Sequence, residues 1–151
     1  MPTHTNIELF EQVVGRCLLK LYQGFPTPID LEPGRIGVEV ATELDLEDED
    51  SAVLILSGAD HAVGFLVREG FIHFNPQSRV MTGPKFPGAV LTLKGLHLLG
   101  KVPSSVDSSV DNRPLADRLG DAVKDGARAS IADAVKAIIS GAFVAVGSAV
   151  G

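Results

Sequence analysis

Two junctions limit what this chain can fold into more than anything else in it. Phe65-Leu66-Val67-Arg68-Glu69-Gly70-Phe71-Ile72 reads as the end of a helix running directly into a strand, with Gly70 as the stop. Val90-Leu91-Thr92-Leu93-Lys94-Gly95-Leu96 reads as a strand running directly into another helix, with Thr92 as its cap. Between them Asn75-Pro76-Gln77-Ser78 is a turn, and Gly83, Pro84, Pro87 and Gly88 keep the remainder loop-like. The spacing therefore predicts a polar hairpin over 73–89, with strands at Phe71–Phe74 and Ala89–Leu91. A closing helix bears Leu93, Leu96, Leu98 and Leu99 and ends by Pro103.

Upstream, Thr5-Asn6-Ile7-Glu8 fits a capping box. Ile7, Phe10, Val14, Cys17 and Leu21 follow at three- and four-residue steps, widened by Val13, Leu18 and Tyr22. This is a helix with one broad buried face that ends near Gly24 and Pro26. Residues 26–31 are extended, because each proline disfavours helix at the residue before it. Residues 33–44 fit two patterns. Ile36, Val38 and Val40 alternate like a strand, whereas Ile36, Val40 and Leu44 fit a helix, which suits the surroundings better. Ser51 to Leu56 reads as a short, fully buried helix with Asp48, Glu49 and Asp50 at its positive end, broken at Gly58. Asp60 then caps a helix from His61 to Glu69 that buries Val63, Leu66 and Val67.

The C-terminal third differs in character. Residues 103–113 are polar and Ser-rich and read as a linker. Pro114 opens a long helix with Leu115, Leu119, Val123, Ala127, Ile131, Val135, Ile138 and Ala142 on one face. Its Arg118–Asp121, Asp121–Lys124 and Asp125–Arg128 pairs make an ordinary solvated face. Residues 137–151 carry no charge. That is shorter than the roughly twenty apolar residues a membrane helix needs, and Ala, Gly and Ser gain little from lipid, so spanning is not expected. A membrane-associated protein held by this tail is a lesser alternative, because the tail lacks the basic polar face of membrane-surface helices. Ala137, Gly141, Ala145 and Ala149 form a small-residue ridge beside Ile138, Ala142, Val146 and Val150, with Phe143 on the far side. A helix apolar nearly all round must be covered, and another copy's tail is the simplest cover. The expected oligomer interface is Ala137, Ile138, Gly141, Ala142, Phe143, Ala145, Val146 and Ala149.

The order helix, short helix, helix, strand, hairpin, strand, helix resembles the winged helix-turn-helix superfamily. Phe65–Ile72 and Val90–Leu99 carry the resemblance, which covers residues 5–102. It implies a mainly α (α+β) fold: a winged-helix domain at 1–102 with a small β-hairpin wing, a linker at 103–113 and an apolar helix at 114–151. Members of this superfamily commonly place the helix corresponding to 60–69 in the DNA major groove and the hairpin against the backbone. The transferred nucleic-acid contacts are His61, Arg68, Arg79, Lys85 and Lys94. The transfer is only partial. Arg68 is the one base-reading cation and lies at the wrong end of its helix, where such helices present polar side chains near the N-terminal turn. The hairpin adds only Arg79 and Lys85, too few phosphate contacts per protomer for more than weak, salt-sensitive binding.

Charge reinforces that reading. Residues 1–100 hold seven Lys or Arg against thirteen Asp or Glu, whereas residues 101–151 hold six of each, so the net −6 lies in the N-terminal part. Six of the eight residues from Glu43 to Asp50 are acidic, a field that repels phosphate. The run lacks the central glycine and the terminal bidentate Glu of a Ca²⁺ loop. No phosphate-cradling loop and no Gly-x-Ser-x-Gly is present. Cys17 lies on the buried face of the first helix, and His4, His61, His73 and His97 lack metal-ligand spacing, so no cofactor or metal is expected. A single cysteine and a charged N-terminal segment without an apolar signal core fit a reducing, cytoplasmic setting. The expectation is a non-catalytic regulatory or protein-interaction protein that self-associates through its C-terminal helix. The alternative is a dimeric DNA-binding transcriptional regulator.

Overall fold

The computed structural model describes residues 6–44, 49–101 and 113–150, with side chains described over 6–44, 53–101 and 113–141. The chain is mainly helical with a small three-stranded antiparallel sheet. In order it runs α1 (Asn6–Gly24), β1 (Ile29–Leu31), α2 (Pro33–Glu43), α3 (Glu49–Arg68), β2 (Ile72–His73), β3 (Phe86–Leu91), α4 (Leu93–Gly100), α5 (Leu115–Asp125) and α6 (Arg128–Val150). The expected capping box rests on Thr5, outside the described residues.

Helix α1 is the centre of the molecule. Val13, Val14, Cys17, Leu18 and Leu21 form the expected apolar face. Burial, however, extends right round the helix: every residue from Glu11 to Leu19 is buried. The reason is that α2 and α3 cover one side while α5 and α6 cover another. Gly15 marks the closest approach. A Cβ there would lie 2.8 Å from Ile131 Cγ2, 3.2 Å from Leu119 Cδ1 and 3.3 Å from Val135 Cγ2. Polar residues caught under this cover find partners in part, with Gln12 Oε1 and Arg16 Nε left without a hydrogen bond. The Gln12 Nε2 amide donates to the Arg128 carbonyl at 3.0 Å, Arg16 is ion-paired with Glu43, and Lys136 Nζ sits 3.8 Å from a Glu11 carboxylate oxygen. Ile7 departs from expectation, standing 59% exposed at the N-terminal end of the stripe.

Residues 33–43 resolve as helix, with Pro33 at its start and Ile36, Val40 and Leu44 buried at four-residue steps while Val38 faces outward. The segment 51–69, expected as two helices, is one. Helix α3 passes through Gly58 and Asp60 without a break. Ile55, Ala59, Ala62, Val63 and Leu66 are buried along one continuous face, and α2 packs closely enough that a Cβ on Gly37 would meet Ile55 Cγ2 at 3.2 Å. That burial outweighs the roughly 1 kcal/mol a mid-helix glycine costs. Nor is the segment 51–56 fully buried. Among its described side chains Ile55 is enclosed, while Val53, Leu54 and Leu56 are 63%, 50% and 42% exposed.

Both junctions form as the sequence predicts. Gly70 takes a left-handed φ of 81°, and the Phe71 N–H returns to the Leu66 carbonyl at 2.9 Å. Thr92 Oγ1 accepts from the Gly95 N–H at 3.1 Å, capping α4. The sheet has the order β1-β3-β2. Strand β3 begins earlier than expected, at Phe86, because Pro87 and Gly88 form an irregularity within the strand and not a loop. Ile29 pairs with Ala89 but Leu31 with Phe86, which leaves one extra residue on β3. Gly88 adopts φ 61° there, and its N–H donates to Asp30 Oδ1 at 3.0 Å.

The single long C-terminal helix is instead two. Gly126, at φ 65°, ends α5 and turns the chain back into α6. Leu115, Leu119, Ile131, Val135 and Ile138 belong to the same apolar core as Val14, Leu18 and Leu99. The expected linker lies almost wholly outside the described residues.

Candidate interaction surface

The five residues expected to contact nucleic acid lie on α3, the hairpin and α4, and the structure draws four of them into contacts within the chain. Lys85 Nζ stands 2.6 Å from Asp60 Oδ2, so the hairpin's lysine is tied to α3. Its backbone N–H donates to Glu32 Oε2 at 3.2 Å. Arg79 donates from Nε to the Lys85 carbonyl at 2.8 Å and lays its guanidinium over Phe74 and Phe86, 5.2 and 5.5 Å from the ring centroids. Lys94 Nζ donates to the Glu69 carbonyl at 2.7 Å, near the C-terminal end of α3 where the helix dipole favours a cation, and sits over Phe71. The Arg68 guanidinium lies 5.7 Å from the Phe65 centroid. His61 is exposed on α3. Lys85 and Lys94 tie the hairpin and α4 to α3, while Arg79 is held within the hairpin and Arg68 against α3 itself.

The first half of α3 leaves apolar side chains exposed, Val53, Leu54 and Leu56, while Ser57, His61 and Arg68 are exposed along the rest, with Glu69 just beyond it. Leu54, Gly58, His61 and Phe65 form a row at three- and four-residue steps, and Leu56 lies on another side of the helix. Against this row lies the N-terminal end of α1. Leu9, Phe10 and Val13 meet Leu54, Ile55 and Gly58 around a groove of about 70 Å³, and Phe10 packs edge-on to Phe65 at 5.3 Å. Reading residues 51–56 as a buried helix hid this surface. The four-residue step from Leu54 to Gly58 was the available signal.

The tail residues split in two. Ile138 is fully buried and Ala137 packs against the core within the same chain, while a Cβ on Gly141 would meet Leu98 Cδ2 at 3.0 Å. Ile138, expected to face another copy, is therefore occupied within the chain, while Ala137 and Gly141 are only partly covered. The side chains of Ala142, Phe143, Ala145, Val146 and Ala149 lie outside the described residues.

Cys17 is enclosed, and burial pushes its thiol up to about 12, which removes it as a nucleophile. Among the described residues, no three His, Cys, Asp or Glu side chains gather to hold a metal, and no helix is long and apolar enough to cross a membrane. A polar cleft of about 670 Å³ between β1, α2 and the hairpin is lined by Lys20, Asp30, Glu32 and Arg35. Its charged groups are engaged in part: Lys20 with Glu39 at 3.2 Å, and the two carboxylates with backbone N–H groups. Thr82 also lines it, and no serine, cysteine or histidine is in its lining. Comparison with protein-family models, curated proteins and solved structures finds no match.

Proposed function

We propose that this chain is a non-catalytic protein-interaction module of winged-helix type that also self-associates through the end of α6. The order α1-β1-α2-α3-β2-hairpin-β3, with β3 central in the sheet, supports the winged-helix reading. The observation that carries the functional part is the outward side of α3. A helix that reads DNA needs polar, cationic side chains there; over 60–69 α3 exposes one cation, Arg68, beside Glu69, its first half exposes Val53, Leu54 and Leu56, and the nearby Lys85, Arg79 and Lys94 are held by internal partners. Apolar exposure of this kind, rimmed by charge, marks protein contact.

For self-association the support is the sequence from Ala142 to Val150, which continues α6 with no charged residue. Two measurements test the proposal. Fluorescence anisotropy with random duplex DNA at physiological salt should give a dissociation constant weaker than roughly 10⁻⁴ M. A tight, sequence-selective complex lost in Arg68→Ala would install the regulator reading instead. Light scattering should show a dimer or larger assembly that Phe143→Glu and Val146→Glu shift to monomer without changing the melting temperature. A wild-type monomer refutes the self-association.

A further inference from the structure

We infer that the polar cleft beside β1 binds a small zwitterion, an amino acid or short peptide whose ammonium and carboxylate ends are both uncapped. This goes beyond the interaction reading, since no residue of α3 or α6 lines the cleft. Three observations carry it. The first is its size and enclosure. About 670 Å³ falls within the roughly 300–1,000 Å³ of small-molecule sites. Four elements wall it: α1 through Lys20 and Gln23, the strand β1, the first turn of α2, and the hairpin at Thr82 to Pro84.

The second is how its carboxylates are held. Asp30 Oδ1 accepts from the Gly88 N–H at 3.0 Å, and Glu32 Oε2 accepts from the Lys85 N–H at 3.2 Å. These backbone amides orient both groups but carry no net charge. Among the described residues no Lys or Arg side chain is ion-paired with either carboxylate, so both negative charges stay uncompensated, and Asp30 Oδ2 keeps its lone pairs. The third is Arg35. It lines the same cleft, and its guanidinium has no hydrogen-bond or ion-pair partner among the described residues. A guanidinium is a planar fork of donors that a carboxylate meets in a bidentate manner. Lys20 adds a second cation at the rim, held only by an exposed pair with Glu39 at 3.2 Å, of a kind that contributes little. A lone anion in this cleft would leave both carboxylates unmatched, and a lone cation would leave Arg35 unmatched. A molecule bearing both charges complements both sets.

The test follows the backbone amide resonances of the nitrogen-labelled full chain during titration with glycine, diglycine and triglycine. Each length is paired with its N-acetyl form, which lacks the ammonium, and its C-terminal amide, which lacks the carboxylate. At least one uncapped length should bind with a dissociation constant of about 1 mM or tighter, moving the Gly34, Lys85 and Gly88 amides. Both capped forms of that length should bind at least about fivefold more weakly. Arg35→Gln should weaken the uncapped peptide by at least about fivefold and leave its amide form unchanged. Asp30→Asn keeps an oxygen to accept from the Gly88 N–H but removes the charge. It should weaken the uncapped peptide to a similar degree and leave the N-acetyl form unchanged. Both positions are exposed, so the melting temperatures should stay at wild type. Four results overturn the inference: no uncapped length binding at about 10 mM, equal binding of capped and uncapped forms, shifts scattered over the surface away from the cleft, or unchanged binding in Arg35→Gln. Any of them leaves the DNA and self-association measurements above untouched.

Discussion

Replacing Ile138 with alanine separates two accounts of α6. If the residue faced only another copy, the change would alter assembly and leave the protomer's stability alone. In the structure it is fully buried against its own chain. The substitution removes about three carbons, worth about 0.8 kcal/mol each on transfer, or roughly 2.4 kcal/mol. A residual cavity of some tens of Å³ adds about 1 kcal/mol, giving a total near 3.5 kcal/mol, inside the usual range for such changes. At about 2–4 °C per kcal/mol for a chain of this size, the melting temperature should fall by roughly 7–14 °C. Thermal circular dichroism measures that fall, and Ser140→Ala, at an exposed position of the same helix, is the control. Its effect should stay within about 0.5 kcal/mol. A melting temperature within about 2 °C of wild type in Ile138→Ala refutes the docking of α6 on α1 and α4.

Two other perturbations have signs set by the same packing. Gly15→Ala and Gly58→Ala make the same chemical change in two helices but should act oppositely. The first should cost about 1–3 kcal/mol because its Cβ is driven to 2.8 Å from Ile131 Cγ2, and the second should gain about 1 kcal/mol because its Cβ meets nothing. Urea midpoints of both variants decide it. Cys17 predicts an alkaline slope. Burial holds the native thiol protonated to about 12, against an ordinary value of 9.0, so between those values the unfolded chain binds fewer protons than the native one. Stability should therefore decline there by about 1.4 kcal/mol per pH unit. Denaturant titrations above about pH 9 should show that component of the slope vanish in Cys17→Ala.

Local chemistry was legible in the sequence where it is decided locally. Gly70 and Thr92 fix the two junctions through their own backbone conformation and hydroxyl, and both could be read directly. The buried row Ile36–Val40–Leu44 likewise announced a helix, though only tertiary packing excluded the strand. What escaped was decided at a distance. Gly58 and Asp60 look like a stop and a cap, but Ala59, Ala62 and Val63 packing under α2 keeps α3 whole, and Asp60 spends its carboxylate on Lys85. Glu11, Gln12 and Arg16 look like a solvent face, because nothing near them in sequence reveals that α6 will lie across them. The tail's apolar circumference reads as needing another copy, yet Ile138 finds its cover within its own chain. The candidate groove was missed for a related reason: an apolar run on a helix reads as core whichever way it faces.

The crossing of α6 over α1 also has a consequence for how the protein is made. Gln12 and Arg128, joined by one hydrogen bond, stand 116 positions apart in the chain. During synthesis the first helix leaves the ribosome long before the residues that close over Gly15. At about 5–20 residues per second, that interval lasts roughly 6–25 seconds. Until Ile131 and Val135 arrive, the face around Gly15 has no partner from α6 and Gln12 lacks the Arg128 carbonyl, whereas Arg16 can meet Glu43 once α2 is made, so the two sides of the same helix are completed at different times.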